Sequence, residues 1–321
     1  MHVIATVFAG QSPAVLWGLG AVLGALTLAM AVTAALAAAR PTGDYRNLRQ
    51  RIGSWWVMIA LLAAALLAGW GAVTALFAVI SFIALREFLS LAHIRREDRL
   101  IVLTAYLTIP VSYGFIVADT YGFYLVFTPV YVFMFLPFLM ACIGQTRGYL
   151  PTMATFHWAI ATCVYCLGFT AFLMRTPASE HLPAGPAGLV FLLLVATEAN
   201  DVAQYVWGKL FGRRKIMPKV SPNKTWEGFL GGWATSALLI WFLGPIYTPL
   251  TGAGLAILAA SLPLAGFAGD VTMSAIKRDL GVKDTSGLIP GHGGILDRAD
   301  SLIFTAPLYF HIMAYFALER F

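Results

Sequence analysis

Acidic, basic and glycine residues crowd together near the carboxyl end of an otherwise apolar chain. Asp270 is followed by the basic pair Lys277 and Arg278, and then by Asp297 and Asp300. Carboxylate oxygens are the ligands that hard cations such as Mg²⁺ prefer, whereas lysine and arginine suit phosphate groups. We therefore expect these five residues to be catalytic, in the transfer of a phosphoryl or nucleotidyl group.

The spacing of these residues predicts that they converge. On a helix, Asp270, Ser274 and Lys277 fall at i, i+4 and i+7 and share one face. Asp297 and Asp300 are three residues apart and share a face at the start of the next apolar run, so both are expected to point toward Asp270. The alternative is a salt-bridged loop, but such a loop does not require an aspartate inside an apolar run.

The connection between the two helices contains a glycine cluster, Pro290-Gly-His-Gly-Gly294. We predict a loop there whose backbone approaches a ligand closely, because glycine has no side chain. The candidate phosphate-binding residues of this region are Ser274, Lys283, His292, Gly293, Gly294 and Arg298.

A second polar segment runs from Ser221 to Gly228. Ser221 is a good helix N-cap and Pro222 suits the first helical position, so we predict that a helix begins here. Lys224 would then oppose the helix dipole unless an anion neutralised it. The candidate phosphate-binding residues are Ser221, Asn223, Lys224 and Thr225. The alternative, anchoring of the protein by basic cytoplasmic residues, accounts well only for the preceding residues 213–215.

A third polar cluster interrupts an apolar run at residues 197–205. Ionisable residues are costly in a membrane span and usually face a cavity or a partner, and Asp201 shares a face with Glu198 and Tyr205. We predict a metal or substrate role, with Asp201 as a further candidate metal ligand. A hydrogen-bond cluster that joins neighbouring helices is the alternative.

Composition places this chemistry in a membrane. The 321 residues are 60% hydrophobic and 11% charged, with a mean hydropathy of +0.79, so lipid must be the solvent for most of the chain. We predict an all-α integral membrane protein. About ten runs have the length of a span, near 14–38, 53–69, 71–92, 100–118, 122–143, 152–173, 187–207, 228–247, 253–276 and 301–318. The first run is too long for a signal peptide and is predicted to be a retained helix.

The basic residues set the orientation. Nearly all of them fall in the connections at 40–51, 95–99, 147, 209–224 and 277–298, whereas Arg175 and Arg320 lie on the opposite side. Cytoplasmic loops are enriched in lysine and arginine, so we predict both termini outside and a polar cavity open to the cytoplasm, in the inner membrane. The net charge of +6 is explained in this way, and a nucleic-acid partner is not expected.

The polar segments together resemble the signature of the phosphatidate cytidylyltransferases, also called CDP-diacylglycerol synthases. The matching residues are Ser274, Lys277-Arg278, Lys283-Asp284, Ser286, Pro290, His292-Gly-Gly294, Asp297-Arg298 and Asp300, with Ser221 to Gly228 and Asn200-Asp201 before them. The likeness runs from about Arg51 to the carboxyl end. We accordingly divide the chain into an additional helix and basic loop (1–50), amino-terminal membrane helices (51–186) and a catalytic membrane region (187–321). Ala299 replaces a larger apolar residue, at a packing position.

The resemblance implies that CTP and phosphatidate give CDP-diacylglycerol and pyrophosphate in the lipid bilayer. It also implies Mg²⁺ held by Asp270 and Asp297, a monovalent cation such as K⁺, and a homodimer as one compatible oligomeric state. Two rival functions are a CTP-dependent kinase of a lipid alcohol and, in a different class, an ion or anion transporter.

Overall fold

The structure is a computed structural model that describes residues 12–40, 45–144, 146–177 and 182–317. Within these residues, nine helices are long and apolar enough to cross a membrane. The helices are α1 (Pro13–Ala39), α2 (Arg46–Ala68), α3 (Trp70–Leu91), α4 (Arg99–Val117), α5 (Tyr121–Cys142), α6 (Tyr149–Leu173), α7 (Gly185–Phe211), α8 (Trp226–Tyr247) and α9 (Gly252–Asp279), followed by the shorter α10 (Leu296–Ala299) and α11 (Leu302–Phe316). The prediction of a helical membrane protein is confirmed. A single 3₁₀ turn, Arg96–Asp98, precedes α4.

The tenth predicted span corresponds to α11, which has 15 residues. A helix of that length rises only about 22 Å, which is less than the hydrocarbon thickness of a bilayer. The count of ten therefore remains a prediction. Arg320, one of the two basic residues predicted for the outer side, lies outside the described residues.

The helices differ in how much of their surface is covered. Residues of α6 and the amino-terminal half of α7 form the centre of the bundle, with Phe169, Phe172 and Leu192 fully buried. By contrast, α1 has only three buried residues, Val15, Leu19 and Thr33. One of its polar contacts is the Tyr247 hydroxyl, which donates to Ala14 O at 2.9 Å. The helix predicted to be an addition to the catalytic unit is thus peripheral.

A small β-hairpin interrupts the helical architecture. Strands β1 (Lys215–Met217) and β2 (Ser221–Thr225) pair antiparallel between α7 and α8. The predicted helix start at Ser221 is therefore wrong. Thr225 is the N-cap instead, because its hydroxyl accepts from Gly228 N at 3.1 Å, so α8 begins at Trp226. Serine followed by proline suits an extended strand as well as a helix start, and pairing with β1 decides between them.

Candidate active site

Helices α7, α9 and α10 bring the predicted acids together around one polar space of about 220 Å³, which we call the acidic cavity. Its lining contains five aspartates, one glutamate and two basic residues: Asp201, Asp270, Asp284, Asp297, Asp300, Glu198, Lys277 and Arg298. The convergence that the spacing predicted is therefore present. Their catalytic roles stay predictions.

One face of α9 supplies its side of the cavity in the predicted order. The Ser274 hydroxyl donates to Asp270 Oδ1 at 3.2 Å, one turn away. A further turn on, Lys277 Nζ lies 2.8 Å from Asp297 Oδ1 and 3.8 Å from Asp300 Oδ2. Lys277 thus joins α9 to α10, and Ser274 orients Asp270 rather than projecting freely toward a phosphate.

The Asp297 carboxylate is fully engaged by donors. Besides Lys277 at Oδ1, its Oδ2 accepts from Thr285 N at 2.7 Å, Thr285 Oγ1 at 2.9 Å and Gly294 N at 2.9 Å. Burial on its own would raise the pKa of Asp297, but the hydrogen bonds from Lys277, Gly294 and Thr285 outweigh it and lower the pKa. In this arrangement Asp297 holds the loop and Lys277 in place.

Unlike Asp297, Asp201 and Asp300 have few hydrogen-bond donors around them and lie close to other acidic side chains. Asp201 Oδ2 accepts from the Ser301 hydroxyl at 2.8 Å, whereas its buried Oδ1 has no hydrogen-bond partner among the described residues. Burial, and then the charges of Asp270 and Asp201, raise the pKa of Asp300 well above the usual aspartate value. A cation in the cavity would give Asp201 Oδ1 a partner and would reduce the repulsion that raises the pKa of Asp300.

Within the described ranges, no three His, Cys, Asp or Glu side chains are grouped so that they could hold a metal ion. Mg²⁺ binding by these acids therefore stays a prediction, and it requires a phosphate-bearing ligand to complete the coordination. Mg²⁺ usually keeps several waters and takes one or two carboxylates plus substrate phosphates, so a preformed cage is not required. Asp270 and Asp201 suit such a role, since both also border the cleft described next.

The hairpin forms one wall of a basic cleft of about 510 Å³, the hairpin cleft, on the α8 side of the acidic cavity. Lys224 Nζ reaches across it to Asp270 Oδ2 at 2.6 Å and lies 4.8 Å from the centre of the Phe267 ring. Other polar residues of its lining are Gln204, Tyr205, Lys209, Lys215, Asn223 and Thr225. The predicted residues Asn223, Lys224 and Thr225 therefore share one cleft.

The glycine loop borders a second open space of about 730 Å³, the loop cleft. Its lining includes the predicted residues Lys283, His292, Gly293 and Arg298. The amino-terminal turns of α2 form the opposite wall, where Ser54 Oγ donates to Pro290 O at 2.8 Å. Burial, followed by the positive charges of Arg298 and Arg51, lowers the pKa of His292, which favours a neutral imidazole.

A groove of about 280 Å³, the apolar groove, lies between α2, α3 and α7. Met58, Leu62 and Ile80 are among its walls, and Glu198 and Arg298 are its charged residues. Both charged residues also line the acidic cavity, so the apolar and polar spaces meet at that point.

Two of the predicted residues lie elsewhere. The Arg278 side chain donates to Val220 O at 3.3 Å and to Val282 O at 3.1 Å, so it fastens the hairpin to the end of α9. Ser221 is in β2, paired opposite Met217, and is not among the residues that line the hairpin cleft.

The third polar cluster, residues 197–205, contains residues that join helices and residues that line the acidic cavity. Thr197 and Asn200 join helices, since Thr197 Oγ1 lies 2.9 Å from Thr305 Oγ1 and Asn200 Nδ2 donates to Pro263 O at 3.2 Å. Glu198 and Asp201 line the acidic cavity instead.

Sequence reasoning missed several residues that the fold brings to the site. Glu87 in α3 accepts hydrogen bonds from the loop, and Asn47, Arg51 and Trp55 in α2 line the loop cleft. An acid within an apolar span was an available signal for Glu87. The α2 residues carried none, because basic and aromatic residues at a span end are explained by topology alone.

Comparison with known proteins identifies the family. The sequence model of the cytidylyltransferase family matches residues 49–316, and the chain belongs to that family. The uncharacterized protein YnbB of Escherichia coli (strain K12) is 40% identical over 265 residues, 83% of this chain and 87% of that protein. A phosphatidate cytidylyltransferase of Synechocystis sp. (strain ATCC 27184 / PCC 6803 / Kazusa) is 32% identical over 82% of this chain and 96% of its own length. One of Mycobacterium leprae (strain TN) is 44% identical over 38% of this chain and 39% of its own length.

Proposed function

We propose that the protein is a phosphatidate cytidylyltransferase, which condenses CTP with phosphatidate to give CDP-diacylglycerol and pyrophosphate. The observation that carries the proposal is the position of the acidic cavity, between a basic cleft on one side and an apolar groove on the other. A reaction that joins a water-soluble polyanion to a membrane lipid needs this order. The curated relatives with that name support the choice of substrates.

The hairpin cleft is the proposed nucleotide site. Lys209, Lys215 and Lys224 supply positive charge to the triphosphate, and Asn223 with Gln204 offers amide groups for polar recognition. Asp201 and Asp270 line both this cleft and the acidic cavity, so they lie where the α-phosphate would meet the acceptor.

The apolar groove is the proposed site of the lipid chains. A fatty chain in the groove would place its phosphate beside Arg298, with Lys283 and Arg51 on the loop-cleft side. Arginine suits this position because its planar guanidinium binds phosphate oxygens in pairs.

The proposed reaction is an in-line displacement. A phosphatidate oxygen forms a bond to the α-phosphorus of CTP, while the bond from that phosphorus to the β-phosphate bridging oxygen breaks and pyrophosphate leaves with the electron pair. The acceptor phosphate is already anionic, so the main difficulty is repulsion between two polyanions, which the lysines and Arg298 reduce. When bound at Asp201 and Asp270, Mg²⁺ would supply further charge neutralisation. K⁺ remains an expectation.

Product analysis tests the proposal. Purified protein in detergent, given phosphatidate and CTP labelled at the α-phosphate, should yield labelled CDP-diacylglycerol and unlabelled pyrophosphate. With a lipid alcohol in place of phosphatidate, release of labelled CDP together with a phosphorylated lipid would establish the kinase function instead. Ion uptake by vesicles that contain the protein, without turnover of CTP, would establish the transporter.

The proposed site lies on the cytoplasmic side of the inner membrane, because the loops around it contain most of the basic residues. A single cysteine at position 215, in a background without Cys142, Cys163 and Cys166, should react with an impermeant maleimide only from the cytoplasmic side. Reaction only from outside would reverse the orientation.

A further inference from the structure

Glu87 is a buried carboxylate about one turn from the carboxyl end of α3, yet its partners lie about 200 residues further on. Its Oε1 accepts from Ser286 Oγ at 2.7 Å and Ile295 N at 3.1 Å. Its Oε2 accepts from Leu296 N at 2.9 Å and lies 3.2 Å from Thr285 Oγ1, whose one hydroxyl hydrogen is shared with Asp297 Oδ2. These contacts tie both ends of the glycine loop to α3.

Thr285 connects Glu87 to the acidic cavity. Its hydroxyl contacts Glu87 Oε2 and also lies 2.9 Å from Asp297 Oδ2, and its amide donates to the same Asp297 oxygen. Asp297 in turn accepts from Lys277 Nζ. A continuous buried network therefore runs from Glu87 to the lysine of α9.

The packing around this network leaves little freedom. A Cβ at Gly294 would lie 2.3 Å from Glu87 Oε2 and 2.3 Å from Thr285 Oγ1, so a side chain there would displace the Glu87 carboxylate or the Thr285 hydroxyl. The adjacent helix α10 has just four residues and contains Asp297 and Arg298. Asp300 and Ser301, which join it to α11, keep helical backbone angles, so the Glu87 contacts to Ile295 N and Leu296 N hold the start of a longer helical segment.

We propose that Glu87 is a positioning residue, which fixes the glycine loop and α10 so that Asp297, Lys277 and Arg298 stand at their places in the acidic cavity. It touches neither substrate and acts through Thr285 and the Ile295 and Leu296 amides. The kinetic consequence rests on the proposed cytidylyltransferase function, whereas the structural consequence does not.

The test is Glu87→Gln, which keeps the size of the side chain but replaces one acceptor oxygen with a donor. Donors of the loop would then face an NH₂ group, and the loop should open. We expect kcat for CDP-diacylglycerol formation to fall about 10- to 100-fold, the usual cost of losing such a supporting contact. KM for CTP should change by less than about threefold, because the hairpin cleft does not contact Glu87.

Hydrogen–deuterium exchange supplies a measurement that is independent of turnover. Amides of residues 285–296 should exchange at least about tenfold faster in Glu87→Gln, since local opening releases their hydrogen bonds, whereas peptides of the hairpin should be unchanged. If the purified protein makes no CDP-diacylglycerol at all, the proposed function fails but the exchange experiment still decides the role of Glu87.

Ser81→Ala is the matched control on the same helix. Ser81 is fully buried and bonds to Tyr113 Oη at 2.8 Å, away from the loop. It should reduce thermal stability without changing kcat or loop exchange. An equal effect of Ser81→Ala and Glu87→Gln on kcat would show that Glu87 has only a general structural role.

Ser286→Ala provides a gentler variant in case Glu87→Gln does not insert. It removes one donor to Glu87 and should give a smaller loss of kcat with faster loop exchange. In the double variant the two losses should be less than additive, because the deleted bond is shared. Wild-type exchange rates and kcat in both single variants would overturn the proposal.

Discussion

Two segments border the acidic cavity, and they are held in different ways. The hairpin is fastened by exposed bonds, such as the amides of Arg213 and Arg214 to Glu227 and Arg278 Nε to Val220 O. The glycine loop is fastened mainly by buried bonds to the carboxylates of Glu87 and Asp297.

The difference indicates which proposed substrate each side is suited to. Exposed hydrogen bonds add little net stability, because water replaces them, so the hairpin can adjust around the proposed nucleotide. Buried bonds to carboxylates are stronger and keep the loop fixed against the lipid groove. Variants in the hairpin should therefore act mainly on KM for CTP, and variants in the loop network mainly on kcat.

Asp270 lines both the hairpin cleft and the acidic cavity, so its loss should have the largest effect. Asp270→Asn keeps the size of the side chain and removes the charge that faces Lys224 and a bound cation. We expect activity to fall by at least about 100-fold, with a raised Mg²⁺ requirement, as for the loss of a strong electrostatic contribution. Chelation of Mg²⁺ should abolish the wild-type reaction.

Asp279→Asn is the control for that variant. Asp279 ends the same helix but is exposed and lines a separate surface cavity with Thr272 and Ile276. It should retain most activity in steady-state assays. Near-normal turnover of Asp270→Asn at limiting Mg²⁺ would remove the proposed metal site.

Asp297→Asn should be nearly as severe, for a different reason. Its amide cannot accept from all four donors, so Lys277 is released and the loop opens; kcat should fall by about 100-fold. Exchange of residues 285–296 separates the two aspartates, since only Asp297→Asn should accelerate it. Unchanged exchange together with a raised Mg²⁺ requirement would indicate a direct metal ligand.

Lys224→Ala tests the adjustable side and should be milder. Losing one of several cationic contacts should raise KM for CTP about tenfold with a smaller change in kcat. Lys219→Ala, in the exposed turn of the hairpin, is the charge-matched control. Equal KM values for Lys224→Ala and Lys219→Ala would leave only a topological role for the hairpin.

Ser221→Ala should have little effect on KM for CTP, because Ser221 does not line the hairpin cleft.

The sequence predicts the membrane helices and the convergence of Asp270, Lys277, Asp297 and Asp300 because both follow from local periodicity. Apolar length defines a span, and residues at helical spacing share a face wherever the helix packs. The same reasoning failed at Ser221, where hairpin pairing with the neighbouring strand β1 overrides the local signal for a helix.

Contacts between residues that are far apart in the sequence could not be predicted from local periodicity. Glu87 reaches Leu296 over 209 residues, and Ser54 reaches Pro290 over 236. Such contacts depend on which helices are neighbours, and a single sequence with short loops leaves that order open. The division into a catalytic region from residue 187 onward therefore remains a prediction, and both contacts cross its boundary.

The smallest expected effect concerns the hairpin's junction with α8. Thr225 is buried and its hydroxyl accepts from Gly228 N, so Thr225→Ala removes the N-cap of α8 and should destabilise the protein by about 1 kcal/mol. Thermal unfolding in detergent measures this change, and Thr225→Ser, which keeps the hydroxyl, is the control. Because the hairpin is expected to be adjustable, KM for CTP should rise only slightly in Thr225→Ala. A rise as large as that of Lys224→Ala would show that the nucleotide side is as rigid as the loop.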